Sequence, residues 1–116
     1  MHDDSATLLD ISNAANLAYT FLDDLTKDAF LDDVKTQSAV LYQLLVVGEA
    51  VKRLSREFRK QHDHIPWSLI AGMRDHLIHA YDTVDWEEVW STVSRDIPDL
   101  LQQIELLDAN SCSQVD

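Results

Sequence analysis

Leu8, Ile11, Ala15, Ala18, Leu22 and Leu25 recur at spacings of 3, 4, 3, 4 and 3. That is a heptad-like seam, and it predicts a long helix packed lengthwise against another. Asp10, Asn13, Asp23 and Asp24 lie off the seam. Thr26-Lys27-Asp28 reads as a turn. A second long helix is expected to start near Asp28 or Asp32, with Val40, Leu44, Val47, Val51, Leu54 and Phe58 as its apolar face. Lys52, Arg56, Arg59 and Lys60 fall on the other side, spread over about 100° of the helical wheel. Residues 61–65 form a loop closed by Pro66, which suits a first helical position because its missing N–H is not needed there. Trp67, Ile70, Leu77 and Ile78 follow at helical spacing, so one helix is predicted to run from Pro66 to about Tyr81. Asp85, with Glu88 three residues on, can cap a further helix whose buried stripe is Trp86, Val89, Trp90 and Val93. Pro98 is expected to open a last helix carrying Leu100, Leu101, Ile104 and Leu107.

No strand alternation, glycine-rich phosphate loop or internal repeat is visible. The expected fold is all-α, an up-and-down bundle of four to five helices with short loops. Residues 1–110 are assigned to a single domain and 111–116 to a flexible polar tail. A chain of 116 residues is long enough to bury a core. Two Gly and two Pro fit long helices with few turns.

Charge changes the picture. The formal net charge is −12, which opposes non-specific binding to nucleic acid. Its distribution is uneven, since five of the nine Lys and Arg lie between Lys52 and Lys60. Lys52, Arg56, Arg59 and Lys60 therefore read either as a solvated helix face or as a track for RNA phosphates. The single Cys112 permits no internal disulfide, which fits a reducing, cytoplasmic setting. Asp3 and Asp4 stand where a basic signal segment would begin. The longest apolar run, Ala39 to Val47, contains Gln43 and is too short to span a bilayer, so no membrane is expected as a partner.

Candidate chemistry concentrates in Gly72-Met73-Arg74-Asp75-His76-Leu77-Ile78-His79-Ala80-Tyr81. Histidine titrates near neutral pH and can remove a proton from a ribose 2′-OH or protonate a leaving 5′ oxygen. A guanidinium stays charged and binds two phosphate oxygens in its fork. Arg74 and His79 thus suit metal-free RNA cleavage. On a continuous helix, however, they would lie about 140° apart, which is poor for cooperation. Either Arg74 reaches around the helix, or the helix loosens near His79, or a second copy of the chain completes the site. Gly72, on nearly the same face as His79, would leave room for close approach. Asp75 can orient or charge-balance a neighbouring Arg or His, or be a plain surface residue. His62 and His64 read as exposed loop residues. Together with His76 and His79 they raise the question of a metal, but no recognised ligand spacing is completed, and neither a metal nor a cofactor is expected.

Arg74 to Tyr81 fits the Arg-x4-His-x-Tyr signature and resembles the HEPN-domain ribonuclease toxins of the HepT type. Gly48-Glu49-Ala50, Ile65-Pro66-Trp67, Gly72-Met73, Val84 to Trp90 and Ile97-Pro98-Asp99-Leu100 are similar to further elements of that family, so the resemblance covers roughly residues 8 to 108. It implies a HEPN-like bundle that forms a homodimer with the two signatures facing one cleft. It also implies metal-independent endoribonuclease activity, with tRNA a candidate substrate. Arg74 and His79 would be the catalytic pair, with Asp75 and His76 in support. The family pairs with a minimal nucleotidyltransferase antitoxin, and the tyrosine that accepts AMP in such pairs corresponds to Tyr81. A departure is Asp75, where asparagine is frequent. The acidic net charge favours an alternative, a non-catalytic HEPN-like module that binds nucleotide or the nucleotidyltransferase. A helix-end role for Tyr81, packing on Trp86, is the structural alternative for that residue.

Overall fold

The computed structural model describes residues 3–79 and 83–113, with side chains to residue 107. The first seam forms α1 (Asp4–Leu22), capped by Asp3, whose side chain accepts the Ala6 N–H. Leu8, Ile11, Ala15, Ala18 and Leu22 are buried, as the spacing predicts. The seam stops one position early. α1 ends at Asp23, which takes the left-handed value φ 50, so Leu25 lies beyond the helix and is only half-buried.

A short α2 (Lys27–Leu31) precedes α3 (Val34–Lys52). Phe30 on α2 is fully buried. Buried Gln37 on α3 ties the two together, donating from Nε2 to the Phe30 and Leu31 carbonyls at 3.1 and 3.0 Å. Carbonyls at a helix end need donors from outside the helix; the Phe30 carbonyl also accepts the Asp33 N–H, and the Gln37 amide reaches the Leu31 carbonyl as well.

The predicted second helix does not continue to Lys60. It stops at Lys52, and a separate α4 (Arg56–Gln61) begins after the cap Ser55. Ser55 accepts the Phe58 N–H through Oγ, while the Asp4 carboxylate accepts both the Ser55 N–H at 2.8 Å and its hydroxyl at 2.6 Å. A good capping side chain, pinned by a residue 51 positions away in sequence, outcompetes helix continuation. The basic stripe is therefore split between two helices.

The other expectation that changes concerns Pro98. α7 (Trp86–Ser91), a π-helical turn (Thr92–Asp96) and α8 (Ile97–Ser113) run on without interruption. Proline has no N–H for the carbonyl four residues back, and its ring crowds that carbonyl. A wide turn immediately before it, in which the Ile97 N–H reaches back to the Thr92 carbonyl, lets the helix pass through the proline.

The result is an all-α bundle in which α1 packs along α3, and α8 closes against α1. No helix among the described residues is long and apolar enough to cross a membrane.

Candidate active site

The segment from Pro66 to Val84 is not one helix. α5 (Trp67–Ala71) ends at Gly72, and α6 (Met73–Leu77) starts there. The Gly72 carbonyl accepts N–H groups from Asp75 and His76. At Ile78 the backbone turns extended, φ −114 and ψ 118. β1 (Ile78–His79) then pairs antiparallel with β2 (Thr83–Val84), Ile78 opposite Val84 and His79 opposite Thr83. The β-branched side chains of Ile78, Thr83 and Val84 favour this conformation over helix. So of the routes open to Arg74 and His79, the chain takes the second: the helix ends before His79.

The consequence for geometry is direct. Arg74 lies on α6 and is exposed, while His79 lies on a strand where consecutive side chains face opposite ways. Ile78 turns toward the core and His79 outward. Arg74 makes no ion pair among the described residues, Asp75 included. Among the described residues nothing competes with an incoming anion for its guanidinium. Tyr81 lies outside the described residues, and with it both its expected role as AMP acceptor and the alternative of packing on Trp86.

Each imidazole faces a carboxylate from the first turn of α7. His76 Nε2 is 3.0 Å from Glu88 Oε1. His79 Nε2 is 4.0 Å from Asp85 Oδ2. The sequence pattern marked Asp85 and Glu88 only as a helix cap. The missing signal was the strand pairing, which folds residue 85 back onto residue 77: the Asp85 N–H donates to the Leu77 carbonyl at 2.9 Å.

The expected basic residues are only partly assembled. Arg56, Arg59 and Lys60 line a shallow groove against Pro66 and Leu69, with Asp63 at its edge. Arg59 Nε is buried without a hydrogen-bond partner. Lys52 is elsewhere occupied, 3.1 Å from Glu49. His64 is exposed, as expected, but His62 is half-buried, its ring 4.6 Å from that of Phe58 and its carbonyl accepting the Trp67 indole N–H. Among the described residues no group of three or more His, Cys, Asp or Glu is placed to hold a metal ion. Gly72 has ordinary clearance. The close approach falls instead at Gly48, where an added Cβ would sit 3.2 Å from the Ile70 carbonyl oxygen. That glycine lets α3 touch α5 and fixes the platform on which α6 stands.

The described residues thus form a helical domain that exposes an arginine and a histidine on adjoining elements. A family model described as ribonuclease HepT-like matches residues 11–107. A Thermococcus cleftensis protein named "probable ribonuclease HepT" is 44% identical over 100 residues, covering 86% of this chain and 91% of its own. A relative from Methanocaldococcus jannaschii, whose name likewise points to RNase activity, is 40% identical over 103 residues, covering 89% and 85%. No solved structure matches the chain. The chain belongs to the ribonuclease HepT-like family and is, with it, an endoribonuclease.

Proposed function

We propose that this protein is the toxin of a toxin–antitoxin pair and cleaves RNA, tRNA among its candidate targets, without a metal. The observation that carries the reading is the pairing of an exposed, uncommitted Arg74 with an outward His79 on consecutive elements. In the proposed step the 2′ oxygen attacks phosphorus as its proton passes to an imidazole. The P–O5′ bond breaks, and the leaving oxygen takes a proton from an acid. Arg74 binds the phosphate oxygens on which charge accumulates. One histidine per chain leaves the second proton role open, and a homodimer with two such segments facing one cleft fills it. His76, held by Glu88, would sit at the margin of that cleft, with Asp75 beside Arg74. Arg56, Arg59 and Lys60 would follow the RNA backbone, and Lys52, tied to Glu49, would contribute less.

The partner in this reading is a minimal nucleotidyltransferase antitoxin that transfers AMP to Tyr81, in the cytoplasm. A phosphodiester added two residues from His79 places negative charge and bulk in the path of RNA. Cleavage of an RNA substrate in EDTA tests the nuclease. Arg74→Ala and His79→Ala should each lose about 100-fold or more in rate, and the reading is wrong if His79→Ala cuts as the parent does. Mass spectrometry after coexpression with a nucleotidyltransferase tests the rest: AMP on Tyr81 with loss of cleavage is expected, and a stable unmodified complex with no nuclease activity supports a purely binding module, which the charge of −12 would suit.

A further inference from the structure

We infer that Asp85 is a positioning residue for His79, holding its imidazole by Nε2 so that Nδ1 faces the substrate. This rests on the ribonuclease reading above.

Asp85 sits where the β1–β2 pair hands over to α7, and it is fixed at several atoms. Its N–H donates to the Leu77 carbonyl at 2.9 Å, and its carbonyl accepts the Val89 N–H at 3.0 Å. Its Oδ1 accepts the Glu88 N–H at 3.1 Å. A carboxylate so held has one oxygen left, and Oδ2 lies 4.0 Å from His79 Nε2. That gap is longer than a hydrogen bond. Both side chains are about half exposed, 58% for His79 and 45% for Asp85, so a modest turn of the imidazole closes it. Catalytic hydrogen bonds are commonly long before substrate binds.

The neighbouring acids are already committed. Glu88 faces His76 at 3.0 Å and Glu87 faces Lys27 at 3.5 Å. The two acids in the first turn of α7 are thus taken, and Asp85, its N-cap, is the carboxylate that falls to His79.

The chemistry follows the logic of a base oriented by a third group. With Nε2–H donating to Asp85, the Nδ1 lone pair is available for the 2′-OH proton. As the 2′-O–P bond forms, that proton arrives on Nδ1, and the carboxylate stabilises the resulting imidazolium without taking a proton. The leaving 5′ oxygen is protonated by a separate acid, the His79 of a second copy in the dimer reading or water.

Helix capping needs only Oδ1, and Ser or Asn caps as well as Asp does. This separates the two roles. Asp85→Ser keeps a cap but cannot reach His79. Asp85→Asn keeps a cap through its one oxygen but turns an NH2, a donor, toward His79 Nε2 in place of the acceptor. RNA cleavage by the parent, both variants, His79→Ala and the Asp85→Ser/His79→Ala double variant is measured beside thermal melting. Expected are a kcat for Asp85→Ser lower by about ten-fold or more with KM unchanged, a loss at least as large for Asp85→Asn, whose amide favours the wrong imidazole tautomer, and no further loss from Asp85→Ser once His79 is gone. Parental kcat in Asp85→Ser, or losses that multiply in the double variant, overturns the inference. If Asp85→Ser melts far below the parent, Asp85→Asn decides, and a parental kcat there overturns it equally. Parental cleavage by His79→Ala would instead remove the catalytic role proposed for His79, on which this inference rests.

Discussion

Replacing Phe30 with alanine should cost this domain a large part of its stability, although Phe30 lies on a five-residue helix far from the signature in sequence. Its side chain has zero exposure. The ring stands 5.5 Å from that of Trp90 and 6.4 Å, edge-on, from that of Trp86. Truncating a fully buried phenylalanine costs about 3–5 kcal/mol when the site cannot collapse. Collapse is hindered here, because Gln37 holds the Phe30 and Leu31 carbonyls from α3. The two aromatic contacts add about 0.5–1.5 kcal/mol each beyond area burial. About 4 kcal/mol is a conservative sum, against a total of about 5–15 kcal/mol for a domain. Urea denaturation followed by circular dichroism reads it as a fall in midpoint with little change in slope. Phe30→Leu, which refills most of the volume, should lose well under half as much. A loss below about 1 kcal/mol in Phe30→Ala, against the 3 kcal/mol floor for such truncations, would refute the placement of α2 as the wedge under α7.

Gly48→Val should destabilise by about 1–3 kcal/mol through overpacking and lower RNA cleavage as well. Its Cβ would lie 3.2 Å from the Ile70 carbonyl and 3.7 Å from that of Ala71, backbone atoms that support α6 and Arg74; parental melting with parental cleavage would refute that coupling. For pH, the N–H of Thr36 and then its hydroxyl hold the Asp33 carboxyl below its ordinary value. A folded-state value below the unfolded one means the contribution is present at neutral pH and is lost as pH falls below about 4 and through the folded value. Asp33→Asn, which still caps α3, should flatten this acid limb of stability measured by denaturation between neutral and acid pH, and an unchanged limb would refute the assignment.

The long-range packing was legible because it is periodic. Leu8 to Leu22, Val40 to Val51, and Val89 with Val93 are buried as their spacing requires. What periodicity cannot carry is competition between local alternatives. Ser55 ends a helix because Asp4, 51 positions away in sequence, accepts its N–H and hydroxyl. No window of the chain contains both partners. Pro98 reads as a start signal, yet a π turn absorbs it. Ile78 and Leu77 continue a helical pattern, but the partner that pulls Ile78 into an extended pair, Val84, lies beyond that pattern. Phe30 belongs to no stripe at all, and its burial is visible only once α2 and α7 meet. The residue types of the candidate site were legible, and so was the difficulty of placing Arg74 and His79 on one helix. The strand pair that puts His79 on a different element from Arg74 was not.

The acidic surplus also becomes intelligible at the level of individual residues. Of the five cations between Lys52 and Lys60, Lys52 is paired with Glu49 and Arg53 with Asp10 at 3.4 Å. Arg56, Arg59 and Lys60 remain together on α4, a helix that exists only because Ser55 interrupts the longer one. The break therefore does two things: it buries Leu54 and gathers three cations on a short helix of their own. At the other end of the segment, carboxylates of the α7 first turn are spent on imidazoles and on Lys27. Arg74 stands between these neighbourhoods in sequence with no ion pair among the described residues. For exposed charges, interactions fade beyond about 8–10 Å at physiological salt, so a phosphate responds to these local groups far more than to the sum of −12. On the proposed reading, a net acidic chain handles RNA because its cations are segregated, and the caps at Ser55 and Asp85 are what segregate them.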